Sequence, residues 1–257
     1  TSSSSHNYAL ILTSQAKIDD FIVEGNQLNF GSYGIYLDGP SSYRPTGVVL
    51  SQNTISTAYA GIRATYLDAP RIEGNTISGT SQNGIYLNEC TGSLIINGNQ
   101  VLSQSSQIGI QAYSCNGGVI TGSGTISNNF VHASRYGLSF EYSSYQNVYN
   151  NSVRISGTDS SYRALYVTNG SQLNVANNIF TNAGGGYATD IRTPATIASS
   201  DYNLLFTTGA NIAFWNSIAY PDLASYQAAS SHDANSISID PGFVSTSDLH
   251  ATAPLLD

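Results

Sequence analysis

An internal repeat of 22 to 30 residues constrains this 257-residue chain more than any other feature. Each repeat contains one Asn, at positions Asn26, Asn53, Asn75, Asn99, Asn129, Asn151, Asn178 and Asn203. An apolar residue lies two positions after each Asn, and another lies three positions before it in every repeat except the one with Ser200. A chain that repeats at this length is typical of stacked units, in which each unit covers the apolar side of its neighbour.

Six of the repeats share a second feature. Eight to thirteen residues after the Asn, a small residue, usually Gly, begins a strand. The segment Gly84-Ile85-Tyr86-Leu87 shows the pattern: alternation at period two points Ile85 and Leu87 inward and Tyr86 outward. Stacked in parallel at about 4.8 Å, such strands merge their apolar residues into one core. The repeats therefore predict an all-β chain, a right-handed single-stranded parallel β-helix of about eight coils.

The repeat also predicts where the β-helix begins and ends. We expect the coils to occupy residues 1–215, with residues 1–20 as a lead-in and a strand at residues 8–12 in an incomplete first coil. Residues 216–257 do not repeat and are predicted to be a cap. The cap contains a short helix at residues 222–229, with Leu223 and Tyr226 on one face.

With these repeats, residues 21–215 resemble the pectate-lyase-like superfamily, specifically the β-helix repeats of carbohydrate-binding and sugar-hydrolase proteins exported by bacteria. The end of the chain, with its helix and Asp240-Pro241 segment, is similar to tails that close such proteins. The resemblance implies a secreted or cell-surface location and a polysaccharide or cell-surface glycan as partner. It does not fix an activity, because the superfamily includes lyases, hydrolases, epimerases and non-catalytic proteins.

Composition excludes two classes of partner. The net charge is −8, with one Lys and seven Arg, so no basic stripe is available for a nucleic acid. No run of about 18 apolar residues predicts a membrane span. The chain begins at Thr1 and contains no Met, so we expect a fragment of a larger exported protein with flanking domains.

The outward positions of the Gly-initiated strands form the predicted binding face. The first column runs through Tyr36, Arg63, Tyr86, Gln111, Ser139, Tyr166 and Arg192, and the second through Asp38, Thr65, Asn88, Tyr113, Glu141 and Thr168. Aromatic rings pack on sugar faces, while planar donors and carboxylates bind hydroxyls or uronates. The predicted substrate-binding residues are Tyr36, Asp38, Arg63, Tyr86, Asn88, Tyr113, Glu141 and Tyr166. The alternative is that Tyr and Thr are ordinary residues of exposed strands.

No catalytic motif of the resembled enzymes is complete in this chain. Arg192-Thr193-Pro194 matches half of the pectate lyase pattern, and Asp19-Asp20 lies outside the repeats. The candidate catalytic residues are His132, expected in a loop, together with Arg135, Glu141 and Arg163. Whether the chain is an enzyme stays open, with a lyase, epimerase or hydrolase as one alternative to a binding module and a passive stalk or adhesin as the other.

Cys90 and Cys115 each follow their strand's Gly by six residues and so occupy the same position in adjacent coils. That placement allows a disulfide and equally allows two stacked free thiols. No cofactor is predicted. For calcium, Glu24 and Glu73 lie two coils apart, too far for one ion, and only Asp38 and Asp68 could approach through their loops.

Overall fold

The computed structural model describes residues 8–12, 17–103, 105–116 and 122–253, which form 26 strands and one α-helix. The first thirteen strands are β1 (Tyr8–Leu12), β2 (Ile22–Glu24), β3 (Gln27–Asn29), β4 (Tyr33–Asp38), β5 (Val49–Ser51), β6 (Thr54–Ser56), β7 (Ala60–Thr65), β8 (Arg71–Glu73), β9 (Thr76–Ser78), β10 (Asn83–Asn88), β11 (Ile95–Asn97), β12 (Gln100–Leu102) and β13 (Ile108–Tyr113). They are followed by β14 (Gly124–Ser127), β15 (Phe130–Ala133), β16 (Tyr136–Glu141), β17 (Ser144–Tyr149), β18 (Ser152–Ile155), β19 (Arg163–Thr168), β20 (Ser171–Ala176), β21 (Ile179–Asn182), β22 (Tyr187–Ile191), β23 (Ile197–Asp201), β24 (Leu204–Thr207), β25 (Ala213–Trp215), β26 (Ile218–Tyr220) and the helix α1 (Leu223–Ser230).

The strands form three long parallel sheets that run the length of the molecule. Sheet A contains β1, β4, β7, β10, β13, β16, β19, β22, β25 and β26, sheet B runs from β2 to β23, and sheet C runs from β3 to β24, each taking every third strand. All pairings are parallel except that of β26 with β25. The predicted parallel β-helix of about eight coils is confirmed. Part of the expected lead-in, residues 1–20, lies outside the described residues.

The repeated Asn residues form a ladder at the corner between sheets B and C, which is buried from Asn53 to Asn203. In the middle of the ladder, Asn99 uses both its backbone N–H and its Nδ2 to donate to Asn129 Oδ1, at 2.9 and 3.0 Å. Asn129 in turn donates to Asn151 Oδ1 at 3.1 and 2.9 Å. At this corner the left-handed backbone belongs to the residue before each Asn, for example Asn128 at φ 55°. Hydrogen bonds to the neighbouring coils, rather than a left-handed backbone of its own, therefore explain why an Asn occupies this corner.

The core lies between the three sheets and consists of stacked apolar side chains. Ile62, Ile85 and Ile110 are successive members of one stack on sheet A, and all are buried. The small residues at the start of these strands are required by close packing: a Cβ added at Gly84 would lie 2.2 Å from Val101 Cγ1 and 2.7 Å from the Gly109 carbonyl oxygen. The Gly column thus lets successive coils stack without a gap.

The C-terminal end is covered by β26, α1 and an extended segment. The Asp222 side chain caps α1 by accepting from the Ser225 backbone N–H at 2.8 Å, and Tyr226 on the helix is buried beside Trp215. Residues 237–250, here called the C-terminal strap, then run back along sheet C. Ile237 bridges to Leu204 of β24, and the Thr246 carbonyl reaches β15, three strands earlier. The predicted cap with one short helix is confirmed.

Candidate functional site

The outward side chains of sheet A form two columns along the helix axis, here called the sheet A face. The first column consists of Tyr36, Arg63, Tyr86, Gln111, Ser139, Tyr166, Asp190 and Phe214, and the second of Asp38, Thr65, Asn88, Tyr113, Glu141 and Thr168. The structure thus brings together all eight residues predicted to bind substrate. Their role in binding stays a prediction.

Arg63 lies between two tyrosine rings at the N-terminal end of this face. Its guanidinium carbon is 5.4 Å from the Tyr36 ring centroid and 4.9 Å from that of Tyr86. Cation–π attraction on both sides holds the guanidinium plane outward. Arg63 makes no hydrogen bond or ion pair with any residue that the structure describes, and its Nε is buried without a partner. These three side chains are here called the arginine sandwich.

Asp38 is the carboxylate beside the arginine sandwich, in the second column. Burial raises the pKa of Asp38, and the positive charge of Arg63 partly opposes that rise. Burial likewise raises the pKa of Tyr86. Both hydroxyl and ring of Tyr86 are therefore available for neutral contacts at ordinary pH.

A row of amides and a carboxylate occupies the centre of the face. Asn83 Nδ2 donates to Gln111 Oε1 at 2.9 Å, and Gln111 Nε2 donates to Glu141 Oε1 at 2.8 Å. Ser139 Oγ donates to the same Glu141 oxygen at 3.0 Å. Two donors thus fix the Glu141 carboxylate across two coils, while its second oxygen has no hydrogen bond to a described residue.

Aromatic rings and arginines return at the C-terminal end. The rings of Tyr136 and Tyr166 stack at 5.0 Å with an interplanar angle of 8°. Arg135 lies over Tyr136 at 4.7 Å, and Arg192 contacts both Tyr166 at 5.7 Å and Phe214 at 5.2 Å. These five side chains, here called the distal patch, combine ring faces with two guanidiniums.

Asp190 is a site residue that the sequence pattern missed. It occupies the first column, where Arg192 was expected, because Tyr166 pairs with Asp190. Its fully buried carboxylate accepts from Arg163 Nε and from Arg192 Nη2, the latter at 3.3 Å, and leaves Oδ1 without a partner. The small residue that would have set the register is Ala188, which follows Tyr187 as Ala164 follows Arg163.

The candidate catalytic residues do not converge. His132 was expected in a loop, but it is buried within β15 on sheet C, on a different side of the β-helix from Glu141 and Arg163. Arg163 and Glu141 stand at opposite ends of neighbouring strands, about 16 Å apart along the strand direction. Arg163 forms an ion pair with Asp190, whereas Arg135 Nη2 donates to the Tyr136 hydroxyl at 3.3 Å.

His132 instead holds the C-terminal strap. Its Nδ1–H donates to the Thr246 carbonyl at 2.8 Å, and its Nε2 is buried without a hydrogen-bond partner in the described chain. Burial lowers the pKa of His132, and the nearby Arg154 charge adds to that effect, against the hydrogen bond to Thr246. A neutral, buried His that fastens a chain segment is unsuited to accept a proton from a sugar on sheet A.

Cys90 and Cys115 are stacked in adjacent coils, as their spacing predicts, and both thiols are free and fully buried in this structure. Each Sγ lies near backbone carbonyls, Cys90 at 3.6 Å from Ala64 O and Cys115 at 3.6 Å from Tyr113 O. Burial raises the pKa of Cys115 well above its usual value.

Oxygen ligands do not gather at the carboxylates that were considered for calcium. Ser51 lies between Glu24 and Glu73 on sheet B, and Glu73 pairs with Arg71 at 2.8 Å. Asp68 accepts from Thr91 Oγ1 at 2.9 Å, and Asp38 lies on the sheet A face. In the part of the chain that the structure describes, no three His, Cys, Asp or Glu side chains form a group that could hold a metal ion. No helix among those residues is long and apolar enough to cross a membrane.

Comparison with known proteins finds a match to one protein family. The family model described as "Periplasmic copper-binding protein (NosD)" matches residues 3–153, which is more than half of the chain. No curated protein and no solved structure matches the chain.

Proposed function

The chain belongs to the NosD family, and on that premise we propose that it is an exported β-helix module that binds polysaccharide along the sheet A face. The family's description as periplasmic agrees with the expected secreted or cell-surface location. The observation that carries the proposal is the outward column of sheet A from Tyr36 to Phe214, in which four aromatic rings, an arginine and an amide are partly exposed. Two members of the column, Ser139 and Asp190, are buried.

A linear glycan fits this row because its sugar units repeat along one axis, as the coils of the β-helix do. Rings such as Tyr86 and Tyr166 offer apolar faces to pyranoses, and Gln111 and Glu141 offer hydrogen-bonding groups to hydroxyls. The side chains are held in advance by cation–π contacts and by the bonds between Gln111, Ser139 and Glu141. Such preorganisation reduces the entropy lost on binding.

The family's description raises the question of copper, and the described residues do not fit a copper site. Protein copper is held by His, Cys and Met, and this chain contains no Met. His132 is committed to Thr246, and both Cys thiols are buried against backbone carbonyls. Among the described residues no third ligand joins any of them. The proposed function therefore includes no step that involves copper.

The test is a panel of neutral and acidic polysaccharides screened against wild type, Tyr86→Ala and Tyr166→Ala. We expect wild type to bind at least one polysaccharide and each variant to bind it about tenfold more weakly, the loss of one stacking ring. Tyr149→Ala is the matched control, because Tyr149 is a half-buried, outward tyrosine on sheet B. If Tyr149→Ala weakened binding equally, the effect would not be specific to sheet A, and the assignment of the site to that face would be wrong.

The same assay wells also test the two alternative functions, an enzyme and a passive stalk or adhesin. Growth of unsaturated-uronate absorbance, recorded with and without calcium, would make the chain a lyase. Absence of both binding and turnover across the panel would overturn the proposal and favour a stalk or adhesin.

A further inference from the structure

The corner ladder has one incomplete rung, at its N-terminal end. From Asn53 to Asn203, every ladder Oδ1 accepts two hydrogen bonds, from the backbone N–H and the Nδ2 of the preceding Asn. Asn26 Oδ1 accepts none from any residue that the structure describes. Asn26 is also exposed, whereas the other rungs are buried. Asn26 can therefore accept two hydrogen bonds from one further Asn.

The two strands that flank Asn26 have free edges. Sheet A continues one strand further, to β1, but no described strand stacks on the outer edge of β2 or β3. Leu28 of β3 is partly exposed, although the next member of its stack, Ile55, is fully buried. Ile22 at the start of β2 is 60% exposed. An edge of this kind can pair with another extended segment.

Glu24 gives this edge a negative charge. It is exposed on β2, and its carboxylate makes no hydrogen bond or ion pair with a described residue. Pairing in the register of the other coils places the residue two positions before the Asn of one coil opposite its counterpart in the next, as Ser51 lies opposite Glu24. An opposite charge at that position is attracted by Glu24. The edge therefore favours a segment with a basic residue two positions before its Asn.

A second copy of this chain does not fit the open rung. The Nδ2 of its Asn26 already donates to Glu24 O at 2.9 Å and to Asn53 Oδ1 at 3.2 Å. Its C-terminal end is closed, because Ser236 and Asp233 accept from the last ladder Asn. None of its ladder repeats has a basic residue two positions before the Asn, where the residues are Glu24, Ser51, Glu73, Asn97, Ser127, Tyr149, Ala176 and Asp201.

We propose that the N-terminal end of the β-helix is a docking site for a strand–corner–strand segment of a partner protein with the pattern apolar-basic-x-Asn-x-apolar. The segment stacks in parallel on β2 and β3, about 4.8 Å from them. Its Asn donates the backbone N–H and Nδ2 to Asn26 Oδ1, and its basic residue pairs with Glu24. Its apolar residues cover Val23 and Leu28. This interaction is separate from polysaccharide binding on the sheet A face and does not rest on it.

The experiment uses a synthetic peptide with the sequence of residues 68–80 and the change Glu73→Lys. This peptide has the required pattern, with Ile72, Asn75 and Ile77 at the other fixed positions. Fluorescence anisotropy with the full 257-residue chain should show saturable binding of one labelled peptide per protein. Asn75→Ala in the peptide, which leaves the protein unchanged, should weaken binding by about tenfold or more because hydrogen bonds between the stacked coils are lost.

The protein side of the same contact is tested by Asn26→Ala. We expect it to weaken binding of the peptide by about tenfold, because it removes the open acceptor at the end of the ladder. Asn29→Ala is the matched control, since Asn29 is an exposed Asn on the outward side of β3 and should leave the affinity unchanged. Equal affinity of wild type and Asn26→Ala, or no saturable binding at all, would overturn the docking site.

Glu24→Gln tests the charge of the partner segment. The peptide that keeps Glu73 should bind wild type about fivefold more weakly than the lysine peptide, because two like charges then lie opposite each other. Glu24→Gln should remove most of that difference, and so should high salt. Equal affinity of wild type for the two peptides would show that the site does not select a basic segment.

Sedimentation of the full chain tests the exclusion of a second copy. We expect a monomer at all concentrations in the absence of peptide. A concentration-dependent dimer that is lost in Asn26→Ala would make a second copy the occupant and overturn the proposal. Because no sugar is present in these measurements, their failure leaves the proposed polysaccharide binding untouched.

Discussion

Asn203 Nδ2 donates to Asp233 Oδ1 at 2.9 Å, so a carboxylate of the cap takes the place of a ninth Asn in the corner ladder. Ser236 Oγ completes the substitution by accepting from the Asn203 backbone N–H at 2.8 Å and donating to Asp233 at 2.6 Å. The cap thus ends the ladder with side chains that satisfy the last coil's donors, which an open coil would leave unpaired.

Asp233→Ala should destabilise the last coils. The change leaves Asn203 Nδ2 and two buried serine hydroxyls with fewer partners, so we expect the free energy of unfolding to fall by about 2 kcal/mol. Chemical denaturation measures the loss, and hydrogen exchange should place it in residues 197–220. Asp240→Ala, an exposed carboxylate in the strap, is the control and should cost little. Equal costs would show that the ladder end is not the stabilising feature.

Val131→Asp and Tyr86→Ala test the two faces of the coils. Val131 is fully buried in β15, and an unpaired carboxylate there should prevent the body from folding. Tyr86 is half-buried on the sheet A face, and its removal should leave the far-ultraviolet circular dichroism unchanged and the melting temperature within a few degrees of wild type. A Tyr86→Ala protein that melted far below wild type would contradict the assignment of this column to solvent.

The sequence predicted the fold because each coil repeats the same local demands. An inward Ile, a corner Asn and a small residue at the strand start recur often enough to fix the register from coil to coil, as the pairing of Ile85 with Ile62 and Ile110 shows. The two columns of the sheet A face followed directly from that register. The cap and its helix were recognisable because the repeat stops and Leu223 and Tyr226 are spaced to share one helix face; in the structure Asp222 is the N-cap.

The prediction of the face was wrong where a coil departs from the pattern. At Gly184-Gly185-Gly186 the turn before β22 changes, and the column that was predicted to contain Arg192 contains Asp190 instead. His132 follows the inward Val131, so alternation alone would have placed it in a strand. That it is buried depends on the strap, which returns from more than a hundred residues away. The sequence around His132 carries no signal that a segment so far along the chain will cover it.

Cys90 and Cys115 should resist thiol reagents in the native protein. Both side chains are fully buried, so a reagent cannot reach either sulfur in the folded protein. Burial also raises the pKa of Cys115, whereas the hydrogen bond of Cys115 lowers the pKa of Cys90 despite its burial, so access alone protects Cys90. We expect no alkylation under native conditions and two alkylated thiols after unfolding without reductant, counted by intact mass. Two unmodified residues after unfolding, alkylated only once reductant is added, would instead reveal the inter-coil disulfide that the spacing also allows.

Acid should loosen the C-terminal strap through His132. Because burial holds the folded-state pKa of His132 below its ordinary value, the folded state favours the neutral ring. Stability is therefore full above the ordinary histidine pKa, declines as pH falls through it, and levels off below the lowered folded-state pKa. Protonation would place a charge at the buried Nε2, beside Arg154 and without a hydrogen-bond partner among the described residues.

The effect of His132 must be distinguished from that of the other titratable groups on the strap. On the strap, Asp248 pairs with His250 at 2.5 Å, and the His250 ring packs on Phe130 at 4.8 Å. Hydrogen exchange of residues 244–250, followed from neutral pH into the acid range and corrected for intrinsic rates, should show protection lost in wild type. His132→Gln can still donate to Thr246 and cannot titrate, so it should keep constant protection across that range, while His250→Gln should still lose it. If His250→Gln were the variant that removed the pH dependence, the exposed pair with Asp248 would be the sensor and the buried ring would only be covered by the strap.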